Sequence, residues 1–237
     1  MGTATTLRVG LIGDFDARIT AHRAIGVALP VAAQRLRLRV EPVWLATDTL
    51  TDAVVLRAVD GLWCVPGSPY RSMEGALRGI GYARAMRVPY LGTCGGFQHA
   101  VIEYARAVLG WDDAEHAETA PDAPRCVVAP LVCRLIEAEA TVRLAPGSRI
   151  AAAYGRDHAA ATYHCSYGLN PEFRDALLRG PLRATAFDDA GEVRAVELED
   201  HPFFVATLFQ PEREALLPAR VPLVEAFLSA CGAGRNV

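Results

Sequence analysis

The chain has 237 residues, of which 51% are hydrophobic, and it carries a net charge of −3 with a pI near 6.1. This length is enough for one large core, so we expect a single domain over residues 1–237. The charge gives no electrostatic basis for binding nucleic acid or an anionic membrane, and no apolar run reaches the roughly 20 residues that span a bilayer.

Lysine and cysteine usage narrows the chemistry further. All 24 basic residues are arginine, and a chain without lysine cannot form a Schiff base, hold pyridoxal phosphate or build a P-loop. We expect no cofactor and no metal. The six cysteines are scattered without a Cys-x-x-Cys pair, which favours reduced thiols in the cytoplasm. The first six residues lead directly into a predicted strand, so we expect no signal peptide.

The first half of the chain alternates between strand and helix patterns. Strands are predicted at Leu7–Ile12, Leu38–Trp44, Gly61–Val65 and Val88–Leu91, with helices at Ile19–Leu36 (interrupted at Pro30) and Glu74–Met86, and a short helix or turn at Ala53–Val59. This alternation is typical of a parallel α/β sheet, which binds ligands at the carboxyl ends of its strands. Gly13, Gly67 and Cys94 all fall at such ends.

The second half has a different pattern. Residues 112–124 are polar and contain proline, which predicts a mobile loop. Short alternating patterns follow at Cys126–Leu135, Thr141–Leu144, Ala161–Tyr167, Ala184–Phe187, Val193–Leu198 and Phe203–Phe209, before a closing helix at Leu223–Cys231. We therefore expect a β-rich C-terminal part.

The most informative segment is the turn that follows the fourth strand. It reads Gly92-Thr93-Cys94-Gly95-Gly96, and an apolar pattern of helical spacing begins directly after it. This is the thiol version of a nucleophile elbow, in which the glycines remove β-carbons that would clash in a sharp turn. A cysteine at a helix N-terminus is favoured as a thiolate. The alternative is a small buried hydrophobe, the usual fate of a free cysteine.

Long segments of the chain resemble class I glutamine amidotransferases, and specifically the glutaminase portion of CTP synthase. The similarity runs through residues 9–13, 60–67, 74–94 and 201–212, nearly end to end and in order. It implies a flavodoxin-like fold with a mostly parallel central sheet flanked by helices. In this family a cysteine attacks the side-chain amide of glutamine, a histidine moves the proton, a glutamate orients the histidine, and ammonia passes to a synthase.

The resemblance assigns roles by position. Cys94 corresponds to the nucleophile and Glu212 to the orienting acid, while Gly95 and the Gly67–Ser68 turn face the oxyanion. Gln98 and Glu118 fall where the family holds the ends of the amino-acid substrate.

Two departures from the family fall on the chemistry itself. The catalytic histidine is replaced by Gln210, whose amide cannot carry a proton near neutrality. The arginine that holds the substrate carboxylate is replaced by Ser166, which lacks the charged fork of a guanidinium. Both positions remain in the predicted substrate pocket.

A replacement base must come from another histidine. We select His164, on a strand expected to border the pocket, with His99 and His116 as rivals. The remaining histidines, His22, His158 and His201, are assigned to the surface or to structural roles.

Three functional hypotheses follow. The first is a modified cysteine hydrolase or transferase acting on an amide, amino-acid-like or related carbonyl substrate. The second is a non-catalytic protein that binds a ligand or partner. The third is a glutaminase that supplies ammonia to a separate synthase, with that synthase or a second copy of the chain as partner.

Overall fold

The computed structural model describes residues 6–217 and 219–234, so the expectation about a signal peptide lies largely outside the described residues. Elements of the first half are β1 Thr6–Ile12, α1 Thr20–Arg35, β2 Arg39–Leu45, β3 Gly61–Cys64, α2 Met73–Met86, β4 Tyr90–Thr93 and α3 Gly95–Ala107. Elements of the second half are β5 Ala114–His116, β6 Arg125–Leu144, α4 Arg149–Tyr154, β7 His158–Leu169, α5 Pro171–Leu177, β8 Leu182–Phe187, β9 Val193–Leu198, β10 Phe204–Thr207 and α6 Pro222–Ala233. Short 3₁₀ turns lie at Thr47–Thr49, Val55–Ala58 and Pro211–Leu216.

A single ten-stranded sheet runs through the described part of the chain. Its order is β2-β1-β3-β4-β10-β9-β8-β6-β5, and β7 pairs with β6 outside that path. In this order, the five strands β2, β1, β3, β4 and β10 pair in parallel. The pairs β10–β9, β9–β8, β8–β6 and β6–β7 are antiparallel. The predicted fold class, a parallel α/β sheet continued by a β-rich part, is confirmed.

The centre of the sheet is its most deeply buried region. β4 lies between β3 and β10, and all four of its residues are buried. The side chains of Trp63, Tyr90 and Phe97 are fully enclosed around it. Strands buried on both faces are typical of parallel sheets covered by helices. The carboxyl end of β4, where the elbow begins, is therefore held between two neighbouring strands.

The long antiparallel pair β6 and β7 brings a distant segment of the chain to this end of the sheet. β6 has 20 residues and β7 has 12, with register shifts between Pro130 and Leu135 and between Ile136 and Ala138. Exposure alternates along β7, with Tyr163 and Cys165 buried and His164 exposed between them. A strand's side chains point to opposite faces in turn, so only alternate residues of this strand can face the buried side.

Some expectations about elements are wrong. Helix α1 continues through Pro30, although proline removes a helical hydrogen bond, because the buried faces of Ile25 and Leu29 hold the helix against the core. The predicted loop at residues 112–124 contains β5, which pairs with β6. Helices α4 and α5 have no counterpart among the sequence-based predictions, since six or seven residues are too few to show a helical period.

None of the helices in the described ranges is long and apolar enough to cross a bilayer.

Candidate functional site

Cys94 is the strained residue of the elbow. It follows β4 directly, precedes the first residue of α3 and has φ 52° and ψ −102°, a conformation that L-residues rarely adopt. Strain of this kind costs on the order of 1–3 kcal/mol and persists only where the surrounding fold enforces it. Here the flanking strand and helix do so, and the sharp turn between strand and helix has the predicted geometry, while the role of Cys94 as nucleophile stays a prediction.

The glycines of the elbow are required by close packing. A β-carbon on Gly96 would lie 2.0 Å from the Cys64 carbonyl oxygen, and one on Gly92 would lie 2.8 Å from the Gly96 carbonyl oxygen. A β-carbon on Gly95 would lie 3.3 Å from the Ser68 backbone nitrogen. The elbow therefore packs directly against β3 and the turn after it. In that turn Gly67 has φ +111°, a backbone conformation that residues with a side chain rarely adopt, so glycine is favoured there.

A cavity of about 460 Å³ opens above the elbow. Most of the predicted site residues line it, namely Gly67, Ser68, Cys94, Gln98, Glu118, His164, Ser166 and Gln210. The side chains of Cys165, Glu137 and Arg213 also contribute to its walls. The structure thus brings together segments that lie far apart in the sequence, and the volume of the cavity is suited to a small molecule.

The sulfur of Cys94 contacts a second thiol. The Cys165 sulfur is 2.6 Å away, and the His164 main-chain carbonyl oxygen is 3.6 Å away. A hydrogen bond from Cys165 lowers the pKa of Cys94, with further help from Gln210 and the Gly95 N–H, against the opposing effect of burial. The same contact and burial raise the pKa of Cys165. Cys94 is therefore favoured as the thiolate of the pair and Cys165 as its protonated partner.

Gln210 lines the cavity, whereas Glu212 is fully buried outside its lining. The side chain of Gln210 is buried and hydrogen-bonds to Cys94, while its Oε1 accepts from Arg213 at 3.3 Å. Glu212 is fully buried, and this burial raises its pKa to about 8. Its Oε1 accepts a hydrogen bond from the Thr93 hydroxyl at 3.3 Å, and its Oε2 has no partner within the described ranges. The carboxyl is thus held neutral at pH 7 with an unpaired oxygen.

His164 lies at the rim of the cavity. Its Nδ1 is 2.8 Å from Oε1 of Glu137, and its side chain is half exposed. The contact with Cys94 is made by the main-chain carbonyl of His164, since Cys165 takes the inward position on β7. Its role as the replacement base stays a prediction.

The two rival histidines lie one layer behind the cavity. His99 is buried with Nδ1 2.8 Å from the Gly95 carbonyl oxygen, and burial lowers its pKa to about 4. His116 is buried with Nε2 3.2 Å from Oε1 of Gln98, and burial lowers its pKa to about 3. Both rings are neutral near pH 7, and both hold parts of the elbow and its helix in place.

Gln98 joins three segments of the site. Its Oε1 accepts hydrogen bonds from the Ser68 hydroxyl and from His116, and its Nε2 donates to the Tyr167 carbonyl oxygen at 2.9 Å. One amide hydrogen remains free to meet a ligand, because the amide nitrogen carries two. Glu118 lies on the same side of the cavity, and partial burial raises its pKa.

The other histidines are structural in this fold. His22 is buried against the Pro66 carbonyl oxygen, and His201 is buried against the Ala83 carbonyl oxygen. The assignment of His22 to the surface is wrong, because the turn after β3 packs on its ring. His158 is exposed beside Asp157.

Sequence reasoning missed Cys165 and Arg213 as site residues. The period-two alternation of β7 shows that His164 and Cys165 face opposite sides, but it does not say which one faces Cys94. Arg213 directly follows the Gln-Pro-Glu run and contacts both Gln210 and Glu137. In the described part of the chain, no three His, Cys, Asp or Glu side chains are placed to hold a metal ion.

Comparison with known proteins gives a consistent result. The profile of the family "Glutamine amidotransferase class-I" matches residues 24–221. CTP synthase of Carboxydothermus hydrogenoformans is 34% identical over 235 residues, covering 94% of this chain and 44% of that protein. CTP synthase of Sulfurisphaera tokodaii is 30% identical over 237 residues, covering 94% of this chain and 45% of that protein. The chain thus spans less than half the length of these relatives.

Solved structures share the fold. The glutaminase domain of Trypanosoma brucei CTPS with bound acivicin superposes with a TM-score of 0.86 at 22% identity, covering 96% of this chain and 94% of that one. A glutamine amidotransferase from Thermotoga maritima superposes with a TM-score of 0.57 at 12% identity, covering 97% of this chain and 85% of that one.

Proposed function

The chain belongs to the class I glutamine amidotransferase family, and we propose that it is a cysteine hydrolase or transferase acting on a small amide or related carbonyl substrate. The observation that carries this proposal is the placement of Cys94. A strained elbow holds its sulfur at the floor of a cavity of about 460 Å³, and its neighbours lower the pKa of the thiol.

The first step is attack of the Cys94 thiolate on the substrate carbonyl carbon. Because the thiolate is already favoured by its hydrogen bonds, the attack itself needs no proton acceptor. The developing oxyanion would be met by the N–H groups of Gly95 and Ser68, whose segments are packed together. Each such donor contributes about 3 kcal/mol of transition-state stabilisation in related chemistry.

The second requirement is a proton for the leaving amine. Two groups at the cavity wall carry one, the Cys165 thiol and, when protonated, the His164 imidazole. Cys165 is the nearer to the nucleophile, at 2.6 Å between sulfurs, and its raised pKa keeps it protonated. Water then hydrolyses the thioester, and the group that gave the proton recovers it from that water. For a transferase, an acceptor amine or alcohol takes the place of water.

The substrate differs from glutamine at its carboxylate end. Ser166 stands at the cavity wall where the resemblance expects an arginine, so an α-carboxylate would lose its charged fork. Two arginines line the cavity: Arg213 is engaged by Glu137 and Gln210, and Arg18 is paired with Asp16. These residues favour a substrate that presents a neutral or weakly polar end at Ser166.

A glutaminase serving a separate synthase is the second candidate. Its support is the match of this chain to 44% of a CTP synthase. The rest of that relative has no counterpart in this chain, and a separate synthase would supply it. In that case a synthase, or a second copy of this chain, is the partner to seek. The replacement of the catalytic histidine by Gln210 weighs against it.

The deciding experiment is a covalent labelling assay with a matched turnover assay. Purified protein under reducing conditions is treated with acivicin, which the solved T. brucei domain binds, and with a panel of small amides, followed by intact mass and ammonia release. We expect a label and turnover that depend on Cys94 and vanish in Cys94→Ala, with Cys133→Ala as the exposed-cysteine control. The variants His164→Ala and Cys165→Ser are then compared, and the one with slower turnover identifies the proton donor.

The outcomes separate the candidates. Release of ammonia from glutamine that rises when a synthase domain is added would favour the second candidate. No label and no turnover with any amide, together with unchanged ligand affinity in Cys94→Ala, would contradict both and leave a binding protein.

A further inference from the structure

Cys94 and Cys165 form a pair of thiols, although the proposed amide chemistry needs only a proton donor at the position of Cys165. Their sulfurs are 2.6 Å apart, yet they lie 71 residues apart in the sequence and on different elements. The family resemblance assigns a catalytic role to one thiol only, the nucleophile, and needs no second thiol beside it. We propose that Cys94 and Cys165 are a redox-active pair that reduces hydroperoxides, with Cys94 as the attacking sulfur and Cys165 as the resolving sulfur.

The pair is asymmetric, as this chemistry demands. The attacking sulfur must be a thiolate, and the resolving thiol must wait protonated beside it. Hydrogen bonds from Cys165, Gln210 and Gly95 favour the thiolate at Cys94, whereas burial and the neighbouring thiolate keep Cys165 protonated. In the other buried cysteines burial outweighs hydrogen bonding: it raises the pKa of Cys64 to about 12 despite hydrogen bonds from Tyr70 and Tyr90, and it raises the pKa of Cys231.

Access is limited to the cavity. Cys94 is 6% exposed and Cys165 is 2% exposed, but both contribute to the cavity wall. A small hydroperoxide can enter a space of about 460 Å³, whereas a protein disulfide cannot reach the sulfurs without rearrangement. This selects a small peroxide as the oxidant.

The steps balance as follows. The Cys94 thiolate attacks the distal oxygen of the hydroperoxide and the O–O bond breaks. The alkoxide or hydroxide that leaves takes up one proton from the solvent and departs as alcohol or water. Cys94 is then a sulfenic acid. The Cys165 sulfur attacks the Cys94 sulfur, its proton joins the departing hydroxide as water, and a disulfide forms. A low-molecular-weight thiol, supplied in two equivalents, returns the pair to the reduced state.

The geometry permits the second step without a change in the fold. A disulfide requires a bond of about 2.05 Å, so the sulfurs need only a small side-chain movement. Cys165 is held on β7 by its pairing with Leu135, and its sulfur lies 3.2 Å from the Leu208 carbonyl oxygen, so its one thiol hydrogen is shared between that oxygen and Cys94. That hydrogen leaves when the thiol reacts.

The test uses the full chain, reduced and freed of reductant, then treated with hydrogen peroxide in the presence of dimedone, a trap for sulfenic acid. We expect the wild type to lose two hydrogens in intact mass, with no dimedone adduct, and peptide mapping to link Cys94 to Cys165. Cys165→Ser should accumulate the dimedone adduct on Cys94, and Cys94→Ser should lose the reaction. Cys133→Ser should behave as the wild type.

Two results would overturn the proposal. One is a dimedone adduct that accumulates in the wild type as fast as in Cys165→Ser. The other is a disulfide that maps to a different pair of cysteines. Because the mapping is done on the wild type, it decides the matter even where a variant of Cys165 fails to fold. The peroxide assay contains no amide, so its failure is distinct from failure of the proposed hydrolase or transferase.

Discussion

The hydroxyl of Thr93 donates a hydrogen bond to Oε1 of Glu212 across 3.3 Å, and so ties the elbow to the turn that carries the family's orienting acid. The fully buried carboxyl keeps this contact although the residue it would orient is Gln210. Under the proposed function, the contact that would support a Cys–His–Glu arrangement is present, and Gln210 takes the position of the proton carrier.

Restoring that proton carrier should raise activity. In Gln210→His, we expect an imidazole between Cys94 and Glu212 to increase amide turnover by roughly 10²- to 10⁴-fold over the wild type, because it can donate the proton that the leaving amine needs and general acid–base catalysis usually contributes this much. The pH profile of kcat/KM should gain an ionisation at about pH 6.5. Steady-state kinetics check both, with the exposed Gln34→His as control. An unchanged rate in a folded variant would show that the proton carrier was not the missing part.

Glu212 should make stability depend on pH. Its pKa is about 8 in the folded chain against an ordinary 4.5, so the folded state holds a proton that the unfolded state releases. The contribution of Glu212 to the free energy of unfolding is therefore largest below about pH 4.5 and decreases as pH rises to about 8. Above that pH it no longer changes. Glu212→Gln removes this loss, so its free energy of unfolding relative to the wild type should rise by a few kcal/mol across that window.

Urea unfolding at a series of pH values measures that difference. The exposed Glu139→Gln is the control for loss of one carboxyl. Parallel profiles for Glu212→Gln and the wild type would show that Glu212 ionises normally.

His99 and His116 should make the protein acid-sensitive. Burial lowers their pKa values to about 4 and about 3, so the unfolded state binds protons that the folded state refuses. Their contribution to stability is then complete above about pH 6.5 and falls as pH decreases, by about 2.7 kcal/mol per pH unit for two such groups. Glu212 titrates in the opposite sense over the same pH range, so the measurement is a comparison with the wild type: urea unfolding at pH 6, 5.5 and 5 should show the slope of stability against pH reduced by about 1.4 kcal/mol per pH unit in His116→Gln. The exposed His158→Gln should keep the full slope; an equal reduction there would rule out the buried pair as its source.

The elbow should tolerate no β-carbon at Gly96. Alanine there would place Cβ 2.0 Å from the Cys64 carbonyl oxygen, a main-chain atom that cannot rotate away. We expect Gly96→Ala to lose about 3 kcal/mol or more of folding free energy. Gly26 is the matched control, since it is exposed on α1 and a β-carbon there would meet nothing within 4 Å, so Gly26→Ala should gain about 0.4–1 kcal/mol. Thermal and urea unfolding compare the two, and equal small effects would contradict the packing argument.

Much of the fold was predictable because its signals are local. The four parallel strands and their helices have continuous apolar runs or helical periods, and each appears within a few residues of its predicted place. The short helix Arg149–Tyr154 and the strand Ala114–His116 were missed, since they owe their form to neighbours and not to a period. Helix α1 passes through Pro30 for the same reason: packing outweighs the local cost.

By itself the sequence determined the elbow. Three glycines around one cysteine, between an apolar strand and an apolar helix, leave few other conformations, and the family motifs on either side identify the same residue. Only the tertiary structure decided what surrounds the sulfur. The alternation of β7 turns Cys165 inward and His164 to the rim, and the pairing of β6 with β7 carries that strand to Cys94. Which face of a strand meets a residue 71 positions away depends on register, and register is fixed by packing across the whole sheet.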